Sequence, residues 1–185
     1  MSVDIQQDKD KLLELLKKHA YFRERITLSS GKQSDYYIDA RRVTLRADGV
    51  YLAARIMWEI IRDEAFEAIG GPTIGADPLL GALGVLAYAD NTPVNFFIVR
   101  KTPKPHGRQQ QIEGPVIPDG AEVILVDDVA TTGKAFVEAI EVLKKQGVIA
   151  RKALCIVDRE EGAKEVLKKQ GCELVALFTA DDFSR

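Results

Sequence analysis

The sequence predicts an α/β fold, a mainly parallel sheet flanked by helices, with a small N-terminal flap. From residue 65 onward, short apolar runs of strand length alternate with longer segments of helical spacing, the order that builds a parallel sheet. Within that order, residues 123–135 read VILVDDVATTGKA: a buried strand, a turn and a helix start in one unit. Such units place ligands at the carboxyl edge of their sheet. A length of 185 residues, 46% hydrophobic and 29% charged, suits one domain over residues 1–185 with a sizeable core.

Residues 8–20 have amphipathic helical spacing, with Leu12, Leu13, Leu15 and Leu16 as the apolar face. Residues 22–43 alternate short strand-like pieces around a turn at 29–34, which accounts for the flap. Residues 47–61 are helical by pattern. The alternation then runs through 65–70, 79–89, 94–99, 123–126, 135–145, 153–157, 163–169 and 174–178. Pro and Gly gather in 102–120, and so long a stretch without regular structure in a compact domain reads as a functional lid or a linker.

The strand at 123–126 ends in two adjacent carboxylates, Asp127 and Asp128. Thr131, Thr132 and Gly133 then open a helix, where unpaired amides and the positive helix end favour a phosphate monoester. Like charge keeps the two acids off the phosphate itself. Ionised carboxylates instead accept hydrogen bonds from a vicinal diol, so the run reads as a holder for ribose 5-phosphate. A Walker A loop is excluded, because position 128 is Asp where that loop requires Gly.

A formal charge of −2 gives no general attraction to nucleic acid or anionic lipid. The opening MSVDIQQDKD is polar and acidic, unlike a secretory signal, and the nearly uncharged stretch 79–89 is short for a membrane span. Cys155 and Cys172 lie in apolar runs without metal spacing and read as reduced core thiols. The expected location is cytoplasmic, with no membrane or nucleic-acid partner. Local positive charge occurs at 100–114, where Arg100, Lys101, Lys104 and Arg108 accompany His106, with no carboxylate before Glu113. Pro103, Pro105 and Gly107 forbid regular structure there, giving a positive arm suited to a polyanion.

The run 123–135 resembles the phosphoribosyl pyrophosphate signature of the type I phosphoribosyltransferases. The pattern Arg-Lys-x-x-Lys-x-His-Gly at 100–107 resembles the catalytic loop of the orotate phosphoribosyltransferase family within it. LSSGKQSDYYID at 28–39 is similar to that family's substrate hood, GGPTIGADP at 70–78 to its pyrophosphate loop, and VDREEG at 157–162 to the strand end that contributes an Arg to orotate.

The resemblance implies a hood formed largely by residues 1–45 and a reaction joining orotate to phosphoribosyl pyrophosphate. Asp127 and Asp128 would bind the ribose hydroxyls. Val129, Ala130, Thr131, Thr132, Gly133, Lys134 and Ala135 would wrap the 5-phosphate. Arg100, Lys101, Lys104 and His106 would meet the pyrophosphate, with Lys104, His106 and Asp128 as the catalytic set. Thr131, Arg159, Tyr36 and Tyr37 would bind orotate. Orotate differs from uracil by a carboxylate, which a guanidinium binds through paired hydrogen bonds. The resemblance further implies Mg2+ held by ligand oxygens and water, with no direct side-chain ligand, and a homodimer whose lid reaches the neighbouring subunit. Ser29 and Gly75 depart from the pattern, since some members carry Lys at each position; Lys32 is a candidate substitute for the first.

A purine or uracil phosphoribosyltransferase would make product with those bases and none with orotate. A nucleic-acid-binding regulator on the same fold would require a basic face or a helix-turn-helix segment, and the sequence has neither.

Overall fold

The computed structural model describes residues 4–24, 26–27, 33–102 and 111–183. In chain order, helix α1 (Ile5–His19) leads into four short strands, β1 (Tyr21–Phe22), β2 (Ile26–Thr27), β3 (Gln33–Ser34) and β4 (Tyr37–Ile38). Helices α2 (Arg41–Thr44) and α3 (Ala47–Ile61) follow, then β5 (Ala68–Pro72), α4 (Ala76–Ala89), β6 (Asn95–Val99) and β7 (Ile112–Glu113). The rest is β8 (Glu122–Ala130), α5 (Lys134–Lys144), β9 (Ile149–Asp158), α6 (Ala163–Lys169), β10 (Glu173–Thr179) and a 3-10 turn, Ala180–Phe183.

Six strands form one sheet in the order β10-β9-β8-β5-β6-β7, parallel throughout except for the antiparallel edge strand β7. The fold class is the expected one. The chain lays β5 and β6 to one side and returns to place β8 on the other side of β5. The strand order therefore reverses between β5 and β8, the position where open α/β sheets bind ligands.

Alternation along β8 explains how both faces are covered. Ile124 and Val126 join a core with α1, α3 and α4, while Val123 and Leu125 join a second core with α5 and α6. Asp4 caps α1, its carboxylate accepting from the Gln7 N–H at 3.1 Å, and Leu12 and Leu16 bury its inner face. Cys155 and Cys172 are buried free thiols; burial pushes Cys172 up to about 11 and Cys155 well above its usual range.

Strand β8 runs four residues past the apolar segment 123–126, through both acids to Ala130. Hydrophobicity stops at Val126, but the ladder does not: Asp127 pairs with Cys155, Val129 with Val157 and Ala130 with Asp158. The flap is two separate antiparallel pairs, β1 with β4 and β2 with β3, followed by the single helical turn α2.

Candidate functional site

Two adjoining cavities open at the carboxyl ends of β5, β6 and β8. The first, about 690 Å³, is walled by the continuous run Val129 to Phe136 and faced by Arg100, Lys101 and Gln111. The second, about 430 Å³, lies between the hood residues Tyr37, Asp39 and Arg41, the loop Thr73 to Gly75, and Asp128 and Arg159. Pro72, Lys101, Asp127, Val129, Thr131 and Ala135 border both.

Asp127 is 7% exposed and Asp128 half-buried at the junction. The strand holds them by their own backbone: the Asp128 N–H donates to Asp127 Oδ1 at 2.9 Å and the Val129 N–H to Asp128 Oδ1 at 2.8 Å. Loss of solvent, and then the charge of Asp128, push the Asp127 carboxyl well above its ordinary range. Burial raises Asp128 as well, opposed by the Val129 amide and the positive charge of Arg41. Two desolvated acids side by side suit a partner that brings hydroxyl donors or positive charge.

Gly75 makes that geometry possible. A Cβ built there would fall on Asp127 Oδ1 and Asp128 Oδ1, so only a glycine lets the loop backbone come this close to both acids. Helix α4 begins beside it, with Gly75 as N-cap and no side-chain cap bond. Helix α5 begins in the same way on the other side of the sheet, with Gly133 at φ +77° and no side-chain cap bond. Neither threonine of the turn closes off the helix start by capping it, and Thr131 and Thr132 are half-buried. Positive helix ends from both faces of the sheet thus meet at the cavities. Lys134 lies on the first cavity, though its ammonium is 3.7 Å from Glu138 on the helix surface.

Arg159 borders the second cavity and is 6% exposed. Its backbone N–H donates to the Ala130 carbonyl at 2.8 Å, tying it to the end of β8. Its guanidinium stands over the Tyr36 ring at 4.8 Å, and its Nε is 3.3 Å from Glu161 Oε1. Of the two tyrosines expected at orotate, Tyr37 lines the cavity, whereas Tyr36 stacks on Tyr21 and supports Arg159.

The arm 100–114 springs from a short hairpin. Strand β7 pairs with β6, the Arg100 N–H donates to the Gln111 carbonyl at 2.8 Å, and Arg100 Nη1 is 3.5 Å from Glu113 Oε1. Arg100 and Lys101 therefore sit at the root of the arm, on the first cavity. Lys104 and His106 lie outside the described residues, as do Ser29 and Lys32.

Asp39 and Arg41 border the second cavity without having been expected there. They pair at 2.9 Å, and Arg41 is the cation whose charge favours ionised Asp128. The only sequence signal was an Asp-x-Arg at the end of the hood segment, too common to single out.

The chain matches the phosphoribosyl transferase domain model over residues 48–180. It is 40% identical to the orotate phosphoribosyltransferase of Rhodopirellula baltica over 178 residues, 93% of this chain and 92% of that protein. It is 35% identical to the orotate phosphoribosyltransferase of Nostoc sp. over 184 residues, 100% of this chain and 89% of that protein. Among solved structures, the orotate phosphoribosyltransferase of Mycobacterium tuberculosis with Fe(III) dicitrate superposes with a TM-score of 0.81 at 34% identity, covering 96% of this chain and 99% of that one. The same enzyme in complex with 5-phospho-α-D-ribosyl 1-diphosphate gives a TM-score of 0.78 at 31% identity, with 96% and 99% coverage. A glycine-bearing turn at a helix start, a buried acid pair and a cavity bordered by an arginine thus coincide with similarity over nearly the whole length, and the chain belongs to the orotate phosphoribosyltransferase family.

Proposed function

We propose that this chain transfers the ribose 5-phosphate group of phosphoribosyl pyrophosphate to orotate, giving orotidine 5-monophosphate and pyrophosphate in pyrimidine (UMP) biosynthesis. The observation that carries this reading is the meeting of the two cavities at Asp127 and Thr131, with the phosphate turn on one side and Arg159 on the other.

In this reading Thr131 to Ala135 hold the 5-phosphate and Asp127 and Asp128 accept from the ribose hydroxyls. Arg159 takes the orotate carboxylate, and Tyr37 and Thr131 border the pyrimidine. Cleavage of the anomeric C–O bond leaves positive charge on the ribose ring and negative charge on the departing pyrophosphate. The pyrimidine nitrogen gives up its proton and bonds to that carbon while the departing pyrophosphate keeps the C–O electron pair and takes up the equivalent proton, so no nucleophilic side chain is needed. Arg100 and Lys101, together with Lys104 and His106, stabilise the leaving group, and exclusion of water strengthens each contact. Lys104 supplies charge or a proton to the pyrophosphate.

Mg2+ fits this site as a companion of the substrate. Buried carboxylates leave the site favouring added positive charge. Ligand oxygens and water would supply its coordination, as is common for phosphate-bound magnesium, and the ion would add charge neutralisation at the leaving group. We place the enzyme in the cytoplasm as a homodimer with the arm shared between subunits. No helix among the described residues is long and apolar enough to cross a membrane.

The test is to supply phosphoribosyl pyrophosphate and Mg2+ with orotate, uracil, adenine or hypoxanthine and follow pyrophosphate release. Orotate is expected to be the only efficient acceptor. Turnover with another base and none with orotate would overturn the assignment.

A further inference from the structure

Among the described residues three cations border the second cavity, Arg41, Lys101 and Arg159. The function proposed above gives Lys101 to pyrophosphate and Arg159 to orotate, and leaves Arg41 unused. Arg41 opens the single turn α2, and its Nε donates to Asp39 Oδ1 at 2.9 Å, which orients the guanidinium. Its two Nη groups make no hydrogen bond or ion pair with any other described residue, and its side chain is 44% exposed. Lys101 and Arg41 act on different members of the acid pair: the charge of Lys101 favours ionised Asp127, that of Arg41 ionised Asp128. Asp128 is also where the loop before α4 arrives, since a Cβ on Gly75 would fall on Asp128 Oδ1. That loop, Thr73 to Gly75, brings the uncapped start of α4 to the cavity but no charged side chain.

We propose that Arg41 is a further substrate-binding residue, whose guanidinium holds the pyrophosphate end of phosphoribosyl pyrophosphate at the start of α4; the proposal rests on the function given above. The chemistry of the substrates leaves this group for it. The ribose hydroxyls are donors matched to the two acids, and a guanidinium offers donors only. The orotate carboxylate has Arg159. Pyrophosphate carries several anionic oxygens, and the Nη edge of an arginine meets two of them in the fork geometry that suits phosphate. Asp39 offsets part of the Arg41 charge, but it occupies Nε and leaves that edge to the ligand. Negative charge grows on the pyrophosphate as the C–O bond breaks, so Arg41 contributes to turnover as well as to binding.

Calorimetric titration and steady-state kinetics on the full-length enzyme, with Mg2+ present, test this. Arg41→Ala is expected to weaken binding of inorganic pyrophosphate, and to raise KM for phosphoribosyl pyrophosphate, by about tenfold. KM for orotate and the affinity for ribose 5-phosphate, which lacks the pyrophosphate, are expected to stay within about twofold. Arg41→Lys keeps the charge without the planar fork and is expected to fall between wild type and Arg41→Ala. Arg42→Ala serves as the control: the Arg42 guanidinium lies over the Phe22 ring at 4.5 Å and borders neither cavity, so that variant is expected to match wild type. Equal weakening of ribose 5-phosphate and pyrophosphate would show that Arg41 acts only through the acid pair, and a rise confined to orotate that it serves the base. Either result, or unchanged values in Arg41→Ala, would overturn the proposal. Failure of the unaltered enzyme to release pyrophosphate with orotate would instead overturn the function itself.

Discussion

Replacing Gly133 by alanine strikes the phosphate turn at its most constrained point. Its φ of +77° lies in the left-handed region, which costs a side-chain-bearing residue about 1–2 kcal/mol. The added Cβ would also sit 2.8 Å from Leu167 Cδ1 and 3.1 Å from the Ala163 Cα, where α6 packs under the turn. Relief of such overpacking costs about 1–3 kcal/mol, so the expected loss of stability is about 2–5 kcal/mol. For a chain of this length each kcal/mol lowers Tm by about 2–4 °C, which places the fall at about 4–20 °C by calorimetry. The backbone must also shift where the proposed function has it meet the 5-phosphate. Loss of one charge-assisted hydrogen bond, at about 1.5–3 kcal/mol, lowers kcat/KM for phosphoribosyl pyrophosphate by about tenfold or more. A variant with unchanged Tm and unchanged kcat/KM would refute the assignment of this turn to the phosphate.

Gly75→Ala should displace both acids and raise KM for phosphoribosyl pyrophosphate, and calorimetric titration should find that binding weakened; a silent variant would separate the loop from the sugar site. The raised carboxyls of Asp127 and Asp128 predict that kcat/KM for phosphoribosyl pyrophosphate falls as pH drops through a range above that of an ordinary aspartate, because protonated acids no longer accept from both ribose hydroxyls. Stability runs the opposite way: the folded protein retains these protons more firmly than the unfolded chain, so the pair's contribution is greatest in acid and declines as pH rises through the raised values. A pH profile flat down to the ordinary aspartate range would contradict this. Lys104→Ala should lower turnover far more than it weakens orotate binding, measured by steady-state kinetics beside equilibrium titration, and unchanged turnover removes Lys104 from the mechanism. Mixing Lys104→Ala with Asp128→Asn protein should restore activity that neither has alone if the arm serves the neighbouring subunit, whereas no recovery after subunit exchange argues for an arm closing on its own site.

The regular elements were legible where one periodicity dominated. The helix at 47–61 coincides with Ala47–Ile61 and that at 163–169 with Ala163–Lys169, since each carries a clean apolar stripe. Strand β8 was read too short because side-chain hydrophobicity ends at Val126 while backbone pairing to β9 continues under two acids. The turn at 131–133 and the acid pair stood out as one motif because their residues are consecutive, and the structure places both on the cavities. The hood side was harder, since Asp39, Arg41 and Arg159 come together from separate segments and no spacing in the chain announces the meeting. Tyr36 and Tyr37 show the same limit: adjacent in sequence, they divide between supporting Arg159 and lining the cavity, a distinction set by which face of the hood each occupies.

The two helix starts at Gly75 and Gly133 lie in different layers, α4 packed in one core and α5 in the other. A substrate with an anionic group at either tip would therefore act as a rivet through the sheet edge, fastening one layer to the other. Amide hydrogen exchange should then slow at both helix beginnings together when the activated sugar is added, whereas free phosphate, lodging at one tip, should quiet only a single layer.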